Sequence, residues 1–366
     1  MMEFYMPVRL YTGDGSVRKH ADVFSSMGSR CLIVTGASSA RKSGALDDVL
    51  SVLDEAGIKS VLFDRIGQNP LLSSCAEAGR LGSSFQADFV IGIGGGSALD
   101  AAKAASVFAA NPEADESMFY SKKWEKRPLP IILVGTTSGT GSEVTKVAVV
   151  TDSAGRKHSM HDELIYAAAS FGDAKYTMGL PKAVTLSTGI DVLMHCTESY
   201  FSRKANDISR ATAIQGILKL REPLSAAANG EELSYAQREE LYDASILGGL
   251  AICVTGTTFP HNVGYYFTEN YAVPHGFACA LFLPELLEHV SGCAPMLAES
   301  FFRRIGMTQP ELAALAEKTL PEVNFSLSRE ELELALPRWE NNGSVQSTLG
   351  NVTADEIRHM LEKFVK

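Results

Sequence analysis

Asp88-Phe89-Val90-Ile91-Gly92-Ile93-Gly94-Gly95-Gly96-Ser97-Ala98-Leu99-Asp100-Ala101-Ala102-Lys103 is the stretch that decides the fold. Asp88 leads into a short apolar run ending at Ile93, of the kind that forms a strand buried on both faces. The glycines interrupt the run, and the Ala- and Lys-rich remainder predicts a helix. Glycines let a backbone approach a phosphate closely, and a helix N-terminus offers N–H groups and the positive end of a dipole. Ser97 either caps this helix or donates to a phosphate oxygen. The spacing is not the G-x-G-x-x-G fingerprint, because position 97 is Ser.

The same alternation extends on both sides. Cys31-Leu32-Ile33-Val34-Thr35, Ser60-Val61-Leu62-Phe63 and Pro130-Ile131-Ile132-Leu133-Val134 read as further strands, with helices over about 45–56 and 71–81 between them. Strand–helix alternation with short links implies a parallel sheet covered on both faces, binding its ligand beyond the carboxyl ends of the strands. The Gly-rich turns after Thr35, Ile93 and Val134 all lie there. Gly135-Thr136-Thr137-Ser138-Gly139-Thr140-Gly141-Ser142-Glu143 lacks the lysine and spacing of a P-loop. Two Gly-rich loops at one sheet edge suit a dinucleotide pyrophosphate. After about Pro181 long helical patterns take over: 186–201, 207–227, 235–254 and 284–294. The expected organisation is an α/β Rossmann-like dinucleotide-binding domain over 1–180 and an all-helical metal-binding domain over 181–366, meeting at a cleft.

The 366 residues carry a net charge of −10 with no basic block, which argues against nucleic acid as a partner and, more weakly, against a membrane surface. No apolar run approaches the roughly 20 residues of a spanning helix, and residues 1–10 lack a signal-peptide core. Six scattered cysteines without a C-x-x-C pair read as buried thiols in a reducing compartment. These features predict a cytoplasmic protein.

Asp191 and His195 are four residues apart in a helical pattern, so both project from one face. His261 and His275 follow much later, the second within Pro274-His275-Gly276. A carboxylate with three imidazoles suits a divalent transition metal such as Fe(II) or Zn(II). Each histidine could equally be a satisfied core residue, and spacing alone does not bring the later two beside the first pair.

Taken together, these motifs resemble the iron-containing (group III) alcohol dehydrogenase family, from about Leu10 to Pro284 and more loosely beyond. The resemblance rests on Gly94-Gly95-Gly96-Ser97 with Asp100 and Lys103, on 136–143, on Gly189-Ile190-Asp191 with His195, and on His261 with Pro274-His275-Gly276. It implies a dehydroquinate synthase-like architecture and metal ligands at Asp191, His195, His261 and His275, with Fe2+ preferred and Zn2+ the alternative. Cofactor contacts are implied at Gly94, Gly95, Gly96, Ser97, Asp100, Thr136, Thr137 and Ser142, and at Lys157 by a looser match. The implied reaction passes a hydride between NAD(P)(H) and an alcohol or its aldehyde or ketone. A homo-oligomer is also implied.

Two positions depart from the family pattern. NAD-using relatives often carry an Asp after the first strand, which would repel a 2′-phosphate. This chain has Gly36, then Ser38, Ser39, Arg41 and Lys42, which favours NADP(H) over NAD(H). Four residues after His261, many relatives place another His where this chain has Tyr265. Its phenol is either a hydrogen-bond donor to the substrate or a pocket wall. The rival readings are glycerol-dehydrogenase-like polyol oxidation, a dehydroquinate-synthase-like lyase, and a non-catalytic dinucleotide-binding protein.

Overall fold

A computed structural model describes residues 2–322 and 325–366. In it the stretch opened above forms a strand, Phe89–Gly94, followed by a helix, Gly96–Ala110. Among the described residues there are eight strands: β1 (Arg9–Thr12), β2 (Arg30–Gly36), β3 (Lys59–Ile66), β4 (Phe89–Gly94), β5 (Ile131–Gly135), β6 (Val147–Thr151), β7 (Lys157–His161) and β8 (Ala169–Gly172). Six of them form one sheet in the order β1-β8-β5-β4-β2-β3, and every pairing in it is parallel. The sequence pattern predicted β2 to β5. β1 and β8 are four residues each, too short to show a period, and β6 and β7 form a separate antiparallel hairpin.

The central strands are fully buried, as their unbroken apolar runs require. Ile33, Ile91, Ile132 and Phe171 share one core with Leu46, Val49 and Leu53 of the helix Ala45–Glu55. On Gly92 a Cβ would come within 2.6 Å of Ala102, so the absence of a side chain there sets how closely the helix Gly96–Ala110 covers β4. The chain runs from β2 to β3 toward one edge and from β4 to β5 toward the other. The switch point therefore falls between β2 and β4, where an open α/β sheet leaves its ligand crevice.

The chain clusters into two units, Tyr5–Leu180 with Leu233–Tyr242, and Pro181–Glu232 with Asp243–Lys366 and Met1–Phe4. The return of Leu233–Tyr242 to the α/β unit differs from the simple two-part partition expected. Tyrosines explain it: Tyr235 donates to Asp173 and Tyr242 to the buried Glu143 at 2.9 Å. A Cβ on Gly172 would lie 2.0 Å from the Tyr242 ring, so the end of β8 is shaped around that side chain.

The second unit is helical. Its helices Lys182–Tyr200, Phe259–Tyr271 and His275–Ala280 carry the candidate metal ligands. Among the described residues no single helix is long and apolar enough to cross a membrane.

Candidate metal centre and cofactor loops

Helical periodicity builds the centre from pairs one turn apart. Asp191 and His195 lie on Lys182–Tyr200, His261 and Tyr265 on Phe259–Tyr271, and His275 begins His275–Ala280. Two glycines let these helices meet. A Cβ on Gly276 would sit 1.9 Å from the Ser187 carbonyl oxygen, and one on Gly264 would sit 2.9 Å from the Cys279 nitrogen. Gly264 leaves its helix unbroken and serves as the contact point with the His275 helix. Gly276 brings His275 against the helix that holds Asp191.

The donors converge on one oxygen. Asp191 Oδ1 lies 3.8 Å from His195 Nε2, 3.3 Å from His261 Nε2 and 3.8 Å from His275 Nε2. Donors about 2.1 Å from a single ion at tetrahedral angles are about 3.4 Å apart, so these separations fit a divalent cation. Asp191 Oδ1 and His261 Nε2 are both buried without an aligned hydrogen bond, a costly state that an ion at this position would relieve. Burial would raise the Asp191 carboxyl, but His195, His275 and His261 outweigh it and hold it well below the usual carboxylate range. His195 and His261 are buried, and the His275 side chain is 25% exposed. Tyr265 stacks on His275 at 5.4 Å between ring centroids, with an interplanar angle of 20°.

Sequence reasoning missed Glu198. It follows Asp191 by seven residues and His195 by three, so it lies on the same helix face. Glu198 Oε1 is 2.5 Å from His261 Nδ1, while Oε2 accepts from the Thr258 backbone N–H at 2.7 Å and its hydroxyl at 3.0 Å. With the proton on Nδ1, His261 turns Nε2 toward Asp191, as a second carboxylate behind a ligating histidine does in metal sites. The spacing from Asp191 was the available signal.

On the α/β unit the two Gly-rich loops lie side by side. Thr136 N–H donates to Gly94 O at 2.9 Å, and Gly95 and Gly96 face the side chains of Thr137 and Thr140. The helix after β4 is capped at Gly95 with no side-chain cap, so Ser97 sits inside the first turn and is not its N-cap. The capping alternative for Ser97 is thereby corrected. Ser142 donates to Asp100 Oδ1 at 2.6 Å, and Asp100 Oδ2 accepts from Val149 N–H at 3.0 Å. The buried Lys103 ammonium donates to Ser142 O, Ser142 Oγ, Thr145 Oγ1 and Val147 O. Asp100 and Ser142 thus hold the second loop in place through their own side chains. Lys157 opens β7 opposite Thr151, and its charge acts on Asp100. Gly36 ends β2, and Ser38 precedes the short helix Ser39–Lys42. Ser38, Ser39, Arg41 and Lys42 are exposed, and Arg41 lies 3.7 Å from Asp47.

The parallel sheet with its two Gly-rich loops and the helical cluster of one carboxylate and three imidazoles agree with the family resemblance drawn from the sequence. It belongs to the iron-containing alcohol dehydrogenase family: residues 7–174 match the model described as iron-containing alcohol dehydrogenase, and 185–328 match the family's C-terminal domain. The chain is 31% identical over 314 residues to the bifunctional aldehyde-alcohol dehydrogenase AdhE of Escherichia coli K12, a match covering 82% of this chain and 35% of that protein. It therefore spans about a third of the length of that relative. Alcohol dehydrogenase 4 of Saccharomyces cerevisiae (strain YJM789) is 30% identical over 292 residues, covering 79% of this chain and 76% of the relative. The crystal structure of an iron-containing alcohol dehydrogenase from Thermotoga maritima aligns with a TM-score of 0.91 at 31% identity, covering 100% of this chain and 99% of that one. The lyase and polyol readings are not favoured by these relationships.

Proposed function

We propose that the chain interconverts an alcohol and its aldehyde or ketone, using NADP(H) and a divalent metal held by Asp191, His195, His261 and His275. The observation that supports this best is the convergence of three Nε2 atoms on Asp191 Oδ1 at 3.3 to 3.8 Å. When bound, the ion supplies Lewis acidity toward the substrate oxygen and the nicotinamide carries the hydride.

The chain's own residues do the positioning. Asp191 supplies the negative charge of the seat, and Glu198 fixes the ring of His261 through Nδ1. Tyr265 forms a flat wall against His275, one turn after His261 on the same helix, where its phenol serves as a pocket wall or as a hydrogen-bond donor to the substrate. Gly96 and Ser97 present the first helical N–H groups to the pyrophosphate, with Gly94, Gly95, Thr136 and Thr137 alongside. Asp100, Ser142 and Lys157 act on the loop that carries those contacts. Gly36, Ser38 and Ser39 leave room and hydroxyls for a 2′-phosphate, with Arg41 and Lys42 as its counter-charges.

The test is a panel of alcohols and aldehydes with both cofactors, run on full-length protein of measured metal content. Net reduction or oxidation of nicotinamide supports the reading, and a protein that binds nicotinamide without net turnover overturns it. Asp191→Ala and His261→Ala are expected to lose both metal and turnover, and an active metal-free variant refutes the ligand assignment.

A further inference from the structure

His275–Ala280 carries a second chemistry-bearing side chain one turn after its histidine. Cys279 follows His275 by four residues and shares its face. Its sulfur lies 3.7 Å from His275 Nδ1 and 3.9 Å from Nε2. One ligand atom each from Asp191, His261, His275 and Cys279 lies within 4.8 Å of all the others. Cys279 is fully buried, and two members of this group, Asp191 Oδ1 and His261 Nε2, are buried polar atoms without an aligned hydrogen bond. A buried cysteine that only fills a core faces apolar neighbours. This one faces two imidazoles and a carboxylate.

We infer that Cys279 is a sulfur donor to the ion at this seat, alongside Asp191, His261 and His275. The inference rests on the metal reading above. As the sulfur takes its place in the coordination sphere, the thiol proton leaves to solvent. A mixed set of carboxylate, imidazole and thiolate is softer than carboxylate and imidazole alone, and it moves the centre toward Zn(II) and Co(II).

The experiment loads the metal-stripped full-length protein with Co(II) and records its near-ultraviolet and visible absorption. The expected wild-type spectrum has ligand-field bands together with a sulfur-to-cobalt charge-transfer band. Cys279→Ser is expected to lose the charge-transfer band while keeping its bound cobalt and its ligand-field bands, and His195→Ala to keep the charge-transfer band. Cys279→Ala provides the same comparison where the serine variant does not fold. Ligand-field bands without a charge-transfer band in the wild type, or a charge-transfer band that survives loss of Cys279, overturn the sulfur donor alone. No cobalt bound to the wild type, with none lost in Asp191→Ala, overturns the metal reading and this inference with it.

Discussion

Glu198 Oε1 lies 2.5 Å from His261 Nδ1, and the other oxygen of the same carboxylate is held by two donors from Thr258. The ring of His261 is thus oriented by a carboxylate on its Nδ1, the nitrogen other than the one that faces Asp191. Removing the charge of that group while keeping its shape isolates the effect. Glu198→Gln is expected to weaken metal binding by about 10- to 100-fold, read by competition with a chelator. Unchanged affinity would show that Glu198 only fills space.

Gly276 is a steric requirement. A methyl there would meet the Ser187 carbonyl at 1.9 Å, so Gly276→Ala forces the His275 helix away from the Asp191 helix. Overpacking of this kind costs about 1–3 kcal/mol, and it separates His275 from its fellow donors. The expected result is a lower melting temperature together with reduced metal content. A variant with wild-type metal content would place the control of donor spacing elsewhere.

The cofactor preference tests separately. Arg41 and Lys42 are exposed just beyond the end of β2. Replacing both by Ala is expected to lower kcat/KM with NADPH by about tenfold, the equivalent of about 1.4 kcal/mol, while leaving NADH little changed. A wild-type protein that strongly prefers NADH would sink the NADP(H) proposal outright.

Asp48 gives the α/β unit an acid-sensitive support. It accepts from Arg18 Nε and Tyr176 OH and pairs with Lys175 Nζ, each at 2.8 Å. Burial alone would raise its carboxyl, but the hydrogen bonds from Lys175, Arg18 and Tyr176 outweigh burial and hold it below the usual range. A carboxyl depressed by folding contributes stability that is fully present above its unfolded value, about 3.9, and is lost as pH falls through the folded value. Asp48→Asn is expected to cost about 1–3 kcal/mol near neutral pH. Urea titrations at falling pH should show the gap to wild type narrowing below about pH 4, and a gap that stays constant there would contradict the assignment.

Much of this molecule was legible because period and composition agreed. β2, β4 and β5 are apolar runs ending at glycine, and Asp191 and His195 are one helical turn apart. β1 and β8 were not legible, because four residues carry no period. The β6–β7 hairpin had a signal in its Asp152-Ser153-Ala154-Gly155 turn, where Asp152 caps its own loop. His261 and His275 could be joined to Asp191 only through resemblance, since the glycine contacts that unite their helices depend on tertiary packing. The return of Leu233–Tyr242 to the α/β unit hides for the same reason. Tyr242 reaches its place through room left at Gly135 and Gly172, more than sixty residues away in the chain.

The backbone approaches at Gly264 and Gly276 tie the spacing of the candidate donors to backbone packing. Contacts between helices set the gap into which Asp191, His261 and His275 project. A change at either glycine therefore alters that gap without touching a donor side chain.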